Sequence, residues 1–344
     1  MPVTPTRIPP AAKPTSKPEP SQLEHELCDS VCFVGQAAGW FQAEARGDDI
    51  EIAPTQPLPS RCTLNPVALF EHDRGFFDIN CVMGRLMFAS GTEHPQRYAA
   101  FTNDSERRLR DLFIAVQPTP DDTLLASPHN WRAASTIVSR LCERSGFTWT
   151  GLSDQEINKL MGLEPWLYPM EGCALHAVVQ QCTAPFGPVI EVGSLRGQST
   201  SMLALGLASL GSDAPIISID PHIDVPSNHR QVRTTLEHID EAGRLIQIPH
   251  LSERAAQWLR PESASMVFID GDHEADAVAA DFYAYAELLT SGGFLLFHDY
   301  GYGAHNGRPD VVPGVRPTVD HHVFHDDRFE PLMLAHTLMV FRKK

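Results

Sequence analysis

Five short apolar runs in the second half of the chain alternate with four stretches of helical periodicity. The runs are Val189–Val192, Ile216–Ile219, Leu245–Ile248, Met266–Ile269 and Phe294–Phe297. Between them lie Thr200–Leu210, Gln231–Asp240, Ser252–Leu259 and Ala275–Leu289, with apolar residues at helical spacing. Parallel strands need such crossovers, so the alternation predicts βαβ units and a doubly wound, mostly parallel α/β sheet. The end of the chain departs from this rhythm. Phe329–Ala335 and Thr337–Arg342 are strand-like with almost nothing between them, which predicts a hairpin and an antiparallel edge strand closing the sheet.

The first run turns sharply. Val189-Ile190-Glu191-Val192 passes through Gly193-Ser194-Leu195-Arg196-Gly197 into a helix opening at Gln198-Ser199-Thr200. Gly193 and Gly197 permit positive φ and close backbone approach, and the helix start points free N–H groups above the turn. Such a turn holds a nucleotide-like ligand at the carboxyl end of a parallel sheet; a tight turn with no ligand is the competing reading. The spacing is neither the G-x-G-x-x-G of dinucleotide sites nor a phosphate loop with Lys after its second glycine. The second run ends in Asp220, which can accept hydrogen bonds from both hydroxyls of a ribose. After the third, Ser252 falls where an adenine edge would lie.

The fourth run ends Ile269-Asp270-Gly271-Asp272-His273, and the fifth ends Phe297-His298-Asp299-Tyr300. Carboxylates and imidazoles at strand tips are costly to leave unpaired and call for a cation or a hydrogen-bonded network. Adjacent strands would bring Asp270, His298 and Asp299 within reach of one ion. Carboxylates with water suit Mg²⁺ or Mn²⁺, and a histidine ligand tilts the site toward Mn²⁺ or Fe²⁺. His273 opens the following helix at the cleft, where it can serve as a general base, a cap or a partner of Asp270.

Composition narrows the partners. The 344 residues carry a formal net charge of -16, which leaves no basic stripe for a nucleic-acid backbone. Seven scattered cysteines lack the spacing of a zinc site and read as reduced thiols of a cytoplasmic protein. Neither a membrane-length apolar run nor a secretory signal is visible. Residues 1–21, rich in Pro, Ser, Thr and Lys, are expected to be disordered. Residues 22–150 read as a smaller auxiliary domain, β-rich at first, with helices expected at Ser105–Val116 and Asn130–Ser145. Residues 151–344 form the sheet domain, entered through helices at Asp154–Met161, where Ser153 and Glu156 have capping-box spacing, and Leu175–Cys182.

Glu191-Val192-Gly193-Ser194 with Gly197, Ser199 and Thr200, then Asp220, then Ile269-Asp270-Gly271-Asp272-His273, then Gly292-Gly293-Phe294 through His298-Asp299-Tyr300, resemble the class I S-adenosylmethionine-dependent methyltransferases. More narrowly they resemble the metal-dependent small-molecule O-methyltransferases of the macrocin and mycinamicin type, over roughly residues 165–344. The resemblance implies that Glu191, Gly193 and Ser194 line the methionine side of the cofactor and that Asp220 holds its ribose. It also implies Asp270 and Asp299 as metal ligands and His273 as proton acceptor. His298 departs from the group, which often carries a carboxylate at that position. The expected substrate is a hydroxyl of a small molecule, a secondary metabolite or its sugar. The expected assembly is a homo-oligomer, with neither nucleic acid nor membrane as partner. Two other functions compete: a nicotinamide-dependent oxidoreductase on the same kind of sheet, and a non-catalytic interaction protein that keeps the crevice.

Overall fold

The computed structural model describes residues 31–46, 49–81, 86–99, 107–118, 127–182, 187–223, 225–301 and 312–344. The tail at residues 1–21 lies outside them. The first strands are β1 (Val31–Val34), β2 (Phe41–Arg46), β3 (Asp49–Pro54), β4 (Cys62–His72), β5 (Phe77–Cys81), β6 (Leu86–Phe88), β7 (Gln96–Ala99) and β8 (Arg107–Pro118). Three helices follow: α1 (Pro128–Arg144), α2 (Asp154–Leu160) and α3 (Pro169–Val179). The alternating half then runs β9 (Val189–Val192), α4 (Gln198–Ser209), β10 (Ile216–Ile219), α5 (Asn228–His238), β11 (Leu245–Ile248), α6 (Ser252–Ala256), β12 (Ala264–Ile269), α7 (Ala275–Ala286) and β13 (Leu289–Phe297). A short α8 (Val315–Thr318), continued by a π-helical turn, leads to β14 (Phe329–Ala335) and β15 (Leu338–Lys343).

One sheet has the order β1-β8-β4-β5-β14-β15-β13-β12-β9-β10-β11, and β2-β3-β7 form a second, smaller one. From β13 to β11 every pairing is parallel. Side-chain alternation sorts these strands onto two faces, as a doubly wound sheet requires. Val189, Met266, Phe268, Phe294 and Leu296 pack with α1, α3 and α4, whereas Ile190, Val192, Val267, Ile269, Leu295 and Phe297 pack with α6 and α7.

Three elements differ from expectation. The terminal hairpin forms, and β15 runs antiparallel to β13, but the hairpin does not end the sheet. β14 pairs in parallel with β5, Met333 opposite Phe77 and Ala335 opposite Ile79, so the amino-terminal strands extend the same sheet. The helix expected at Ser105–Val116 is instead β8, antiparallel to β4 and parallel to β1. Its residues alternate: Leu112, Ile114 and Val116 enter one core while Phe113 enters another. Finally, α3 begins at Pro169 rather than Leu175. Proline at its first position and Glu171 at its third are helix-start signals.

Candidate active site

Ladder hydrogen bonds continue past the strand ends and set the chemistry at one level. Gly193 N–H donates to Ile219, Asp270 N–H to Val192 and His298 N–H to Ile269. Above these tips opens a cleft of about 840 Å³ whose wall includes Gly193, Asp220, Ser252, Asp270, His273, His298 and Asp299. All seven are among the expected site residues, contributed by five consecutive strand ends. Trp166, Leu195, Ile223 and Leu251 add apolar surface and remain substantially exposed.

Gly193 has φ +84°, and a β-carbon there would strike the Asp270 carbonyl, so the turn lies flat against the end of β12. Asp220 organises the other side of the turn. Its Oδ2 accepts from Ser194 N–H and Leu195 N–H, each at 3.0 Å, and its Oδ1 accepts from His222 N–H at 2.8 Å. The carboxylate thus holds three backbone donors while still facing the cleft.

Glu191, Ser199, Thr200 and Gly197 do not line the cleft. Strand alternation turns Glu191 toward α4, where its fully buried carboxyl group bridges Ser199 Oγ and Thr200 Oγ1, each at 2.6 Å. Burial, reinforced by the negative charges of Asp270 and Asp220, pushes its pKa up to about 8 against those two hydrogen bonds. Gly197 caps α4 with φ +89°. Ser194 is also buried, and its Oγ has no hydrogen-bond partner. These residues shape the turn from below.

Two imidazoles flank the paired carboxylates. His298 Nδ1 lies 3.1 Å from Asp270 Oδ1 and 3.2 Å from Asp299 Oδ1. His273 Nε2 lies 3.2 Å from Asp299 Oδ2 and 3.9 Å from Asp270 Oδ1, buried but hydrogen-bonded to neither. Asp270, His273 and Asp299 offer ligand atoms within 4.8 Å of one another. Two carboxylates with imidazole nitrogens beside them are a donor set that fits a divalent cation. Asp299 has φ +62°, a strained backbone that aims its side chain at this cluster. Asp270 raises the His273 pKa above its ordinary value, against burial and with help from Asp299. Burial of Asp270 is outweighed by His298 and His273, which hold its carboxyl below the usual range.

Two buried carboxylates were not expected here. Glu171 of α3 is buried beneath His298, with its Oε2 3.2 Å from Nε2 of that ring. Asp281, on the buried face of α7, lines the cleft beside Ser252, and burial pushes its pKa up to about 6. Helical spacing on Val278, Phe282 and Tyr285 did place position 281 near that face, the available sequence signal.

The strand order and turn geometry coincide with a family match covering residues 190–300, whose description is methyltransferase domain. Residues 190–300 thus resemble a methyltransferase domain. An uncharacterized protein of Acanthamoeba polyphaga mimivirus is 25% identical over 134 residues, 38% of this chain and 58% of that protein. The match therefore spans little more than half of that relative. Among solved structures, the SAH-bound methyltransferase PaMTH1 of Podospora anserina superposes with a TM-score of 0.45 at 17% identity, covering 66% of this chain and 99% of that one. The O-methyltransferase of Bacillus cereus in complex with SAH has a TM-score of 0.44 at 18% identity, covering 63% and 100%. Within the matched residues lie the glycine turn, Asp220, Asp270, His273 and Asp299.

Proposed function

We propose that this chain is an S-adenosylmethionine-dependent O-methyltransferase that uses a divalent cation and methylates a hydroxyl of a small molecule, a secondary metabolite or its sugar. The observation that carries the reading is the meeting of Asp270, Asp299, His273 and His298 in the cleft that Gly193 and Asp220 also line. Asp220, able to bond a ribose, sits on one side, and the acid–imidazole cluster sits on the other. An acidic cleft suits a sulfonium donor. The reaction breaks a sulfur–methyl bond, forms an oxygen–methyl bond and releases the hydroxyl proton.

Asp270, Asp299 and His298 would hold the cation, which when bound lowers the pKa of a coordinated hydroxyl. His273 stands at the open side of the cluster, where it can accept the proton once the carboxylate charges beside it are neutralised. Trp166 and Leu195 supply apolar wall for the body of the acceptor.

Calorimetric titration with S-adenosylhomocysteine, followed by transfer of labelled methyl groups to a panel of vicinal diols with and without Mg²⁺, tests the proposal. Binding and cation-dependent transfer are expected. Binding of NAD in place of S-adenosylhomocysteine would overturn it in favour of an oxidoreductase.

A further inference from the structure

A third carboxylate lies buried beneath the pair at the strand tips. Glu171 Oε2 accepts from Tyr168 N–H at 2.9 Å and contacts His298 Nε2 at 3.2 Å. Its Oε1 accepts from Thr337 Oγ1 at 2.5 Å and Thr337 N–H at 3.3 Å, and lies 2.8 Å from His336 Nδ1. Every contact is to a group fixed by secondary structure or by the β14–β15 turn. The group is built rather than incidental: His336 takes up φ +59° there, and its ring lies 4.3 Å from that of Tyr168.

We infer that Glu171 is a positioning residue for the cation site, holding His298 with Nε2 inward and Nδ1 directed at Asp270 and Asp299. The inference rests on the reading of that site as a divalent-cation site. An imidazole that ligates a metal donates its other N–H to a carboxylate, a backbone carbonyl or water, and that bond sets tautomer and ring orientation. Glu171 stands where such a partner must be. Nδ1 lies 3.1 and 3.2 Å from the two carboxylate oxygens. His273 reaches only Asp299 and Asp270, the carboxylates of the cluster itself, and is more exposed than His298, which leaves it to the substrate side. Histidine at 298 thus supplies a ligand only because Glu171, 127 residues earlier, fixes its ring.

The test is Mn²⁺ titration of the full chain, read from the electron paramagnetic resonance signal of free Mn²⁺, for wild type, Glu171→Gln, His298→Ala and the double variant. Glu171→Gln should weaken Mn²⁺ binding roughly 10- to 100-fold, the usual effect of removing such a partner. The double variant should bind no more weakly than His298→Ala, because Glu171 acts through that ring. Wild type that binds no Mn²⁺ would overturn the cation reading and this inference with it. Wild type that binds, with Glu171→Gln unchanged or the two effects additive, would overturn this inference alone. Should Glu171→Gln fail to fold, ¹H–¹⁵N spectra of the histidine rings in wild type with Zn²⁺ decide. His298, identified by its absence in His298→Ala, should be protonated at Nε2 and perturbed at Nδ1. Metal perturbation at Nε2 would overturn the inference.

Discussion

A β-carbon on Gly193 would fall 1.9 Å from the carbonyl oxygen of Asp270, so the glycine turn and the acid–imidazole cluster meet in a single backbone contact. Gly193→Ala should therefore injure both. Left-handed backbone alone costs an alanine about 1–2 kcal/mol, and the clash adds to it. Scanning fluorimetry should show a lowered melting temperature, and calorimetry a weakened affinity for S-adenosylhomocysteine. A variant unchanged in both would mean that the β12 end yields freely.

Asp220 accepts three backbone N–H groups, and this makes it intolerant of its amide. Asp220→Ala should weaken S-adenosylhomocysteine by about 1.5–3 kcal/mol, the worth of hydrogen bonds to a charged acceptor. Asp220→Asn should recover little, since an amide nitrogen would face a backbone donor at one of the two positions. Full recovery in Asn, measured by calorimetry, would show that the charge and the second acceptor are dispensable.

Glu191 predicts a pH dependence of stability. Its carboxyl ionises near pH 8 in the folded chain, against an ordinary value of 4.5. Between those limits the folded state keeps a proton that the unfolded state has lost, so stability falls as pH rises, by at most about 1.4 kcal/mol per unit. Glu191→Gln mimics the protonated group and should remove this slope while leaving cofactor affinity intact. Urea unfolding at several pH values from 5 to 8 measures it. Parallel wild-type and variant curves would mean that Glu191 is ionised when folded.

Removal of the cation and removal of the base should be separable. Chelation should abolish methyl transfer, with Mg²⁺ or Mn²⁺ restoring it, and Asp299→Ala should behave as the chelated enzyme. His273→Ala should keep Mn²⁺ binding yet lose roughly 10²–10⁴-fold in turnover. Full turnover in excess chelator would reduce Asp270 and Asp299 to structural roles.

The pairing of β5 with β14 ties the amino-terminal strands to the sheet that carries the cleft. Deleting residues 1–101 would strip the cover from Met333 and Leu334, both buried in the intact chain, and leave an unpaired strand edge. The truncated chain should self-associate in light scattering and melt earlier. A soluble product of unchanged assembly and melting temperature would show that β14 needs no neighbour.

The bounds of β9 and β10 were legible in the sequence because a strand buried on both faces is a nearly continuous apolar run, a local property. Turn glycines and strand-end acids followed, since only the carboxyl ends of parallel strands can present them together. Strand β8 was illegible. Its Leu109, Leu112 and Phe113 satisfy helical spacing, and only the neighbours β1 and β4 decide for a period of two. Glu191 shows the same division at one residue. Its place beside the turn is local, but alternation of the strand sends it under α4, away from the cleft. Glu171 lies beyond any sequence spacing: it meets His298 across 127 residues and Thr337 across 166, through the packing of α3 against the far hairpin. Sequence alone determined which chemical groups stand at the strand tips, because strand and turn propensities act over a few residues. Tertiary structure decided which of those groups share a hydrogen bond, because burial and contact belong to the packed chain.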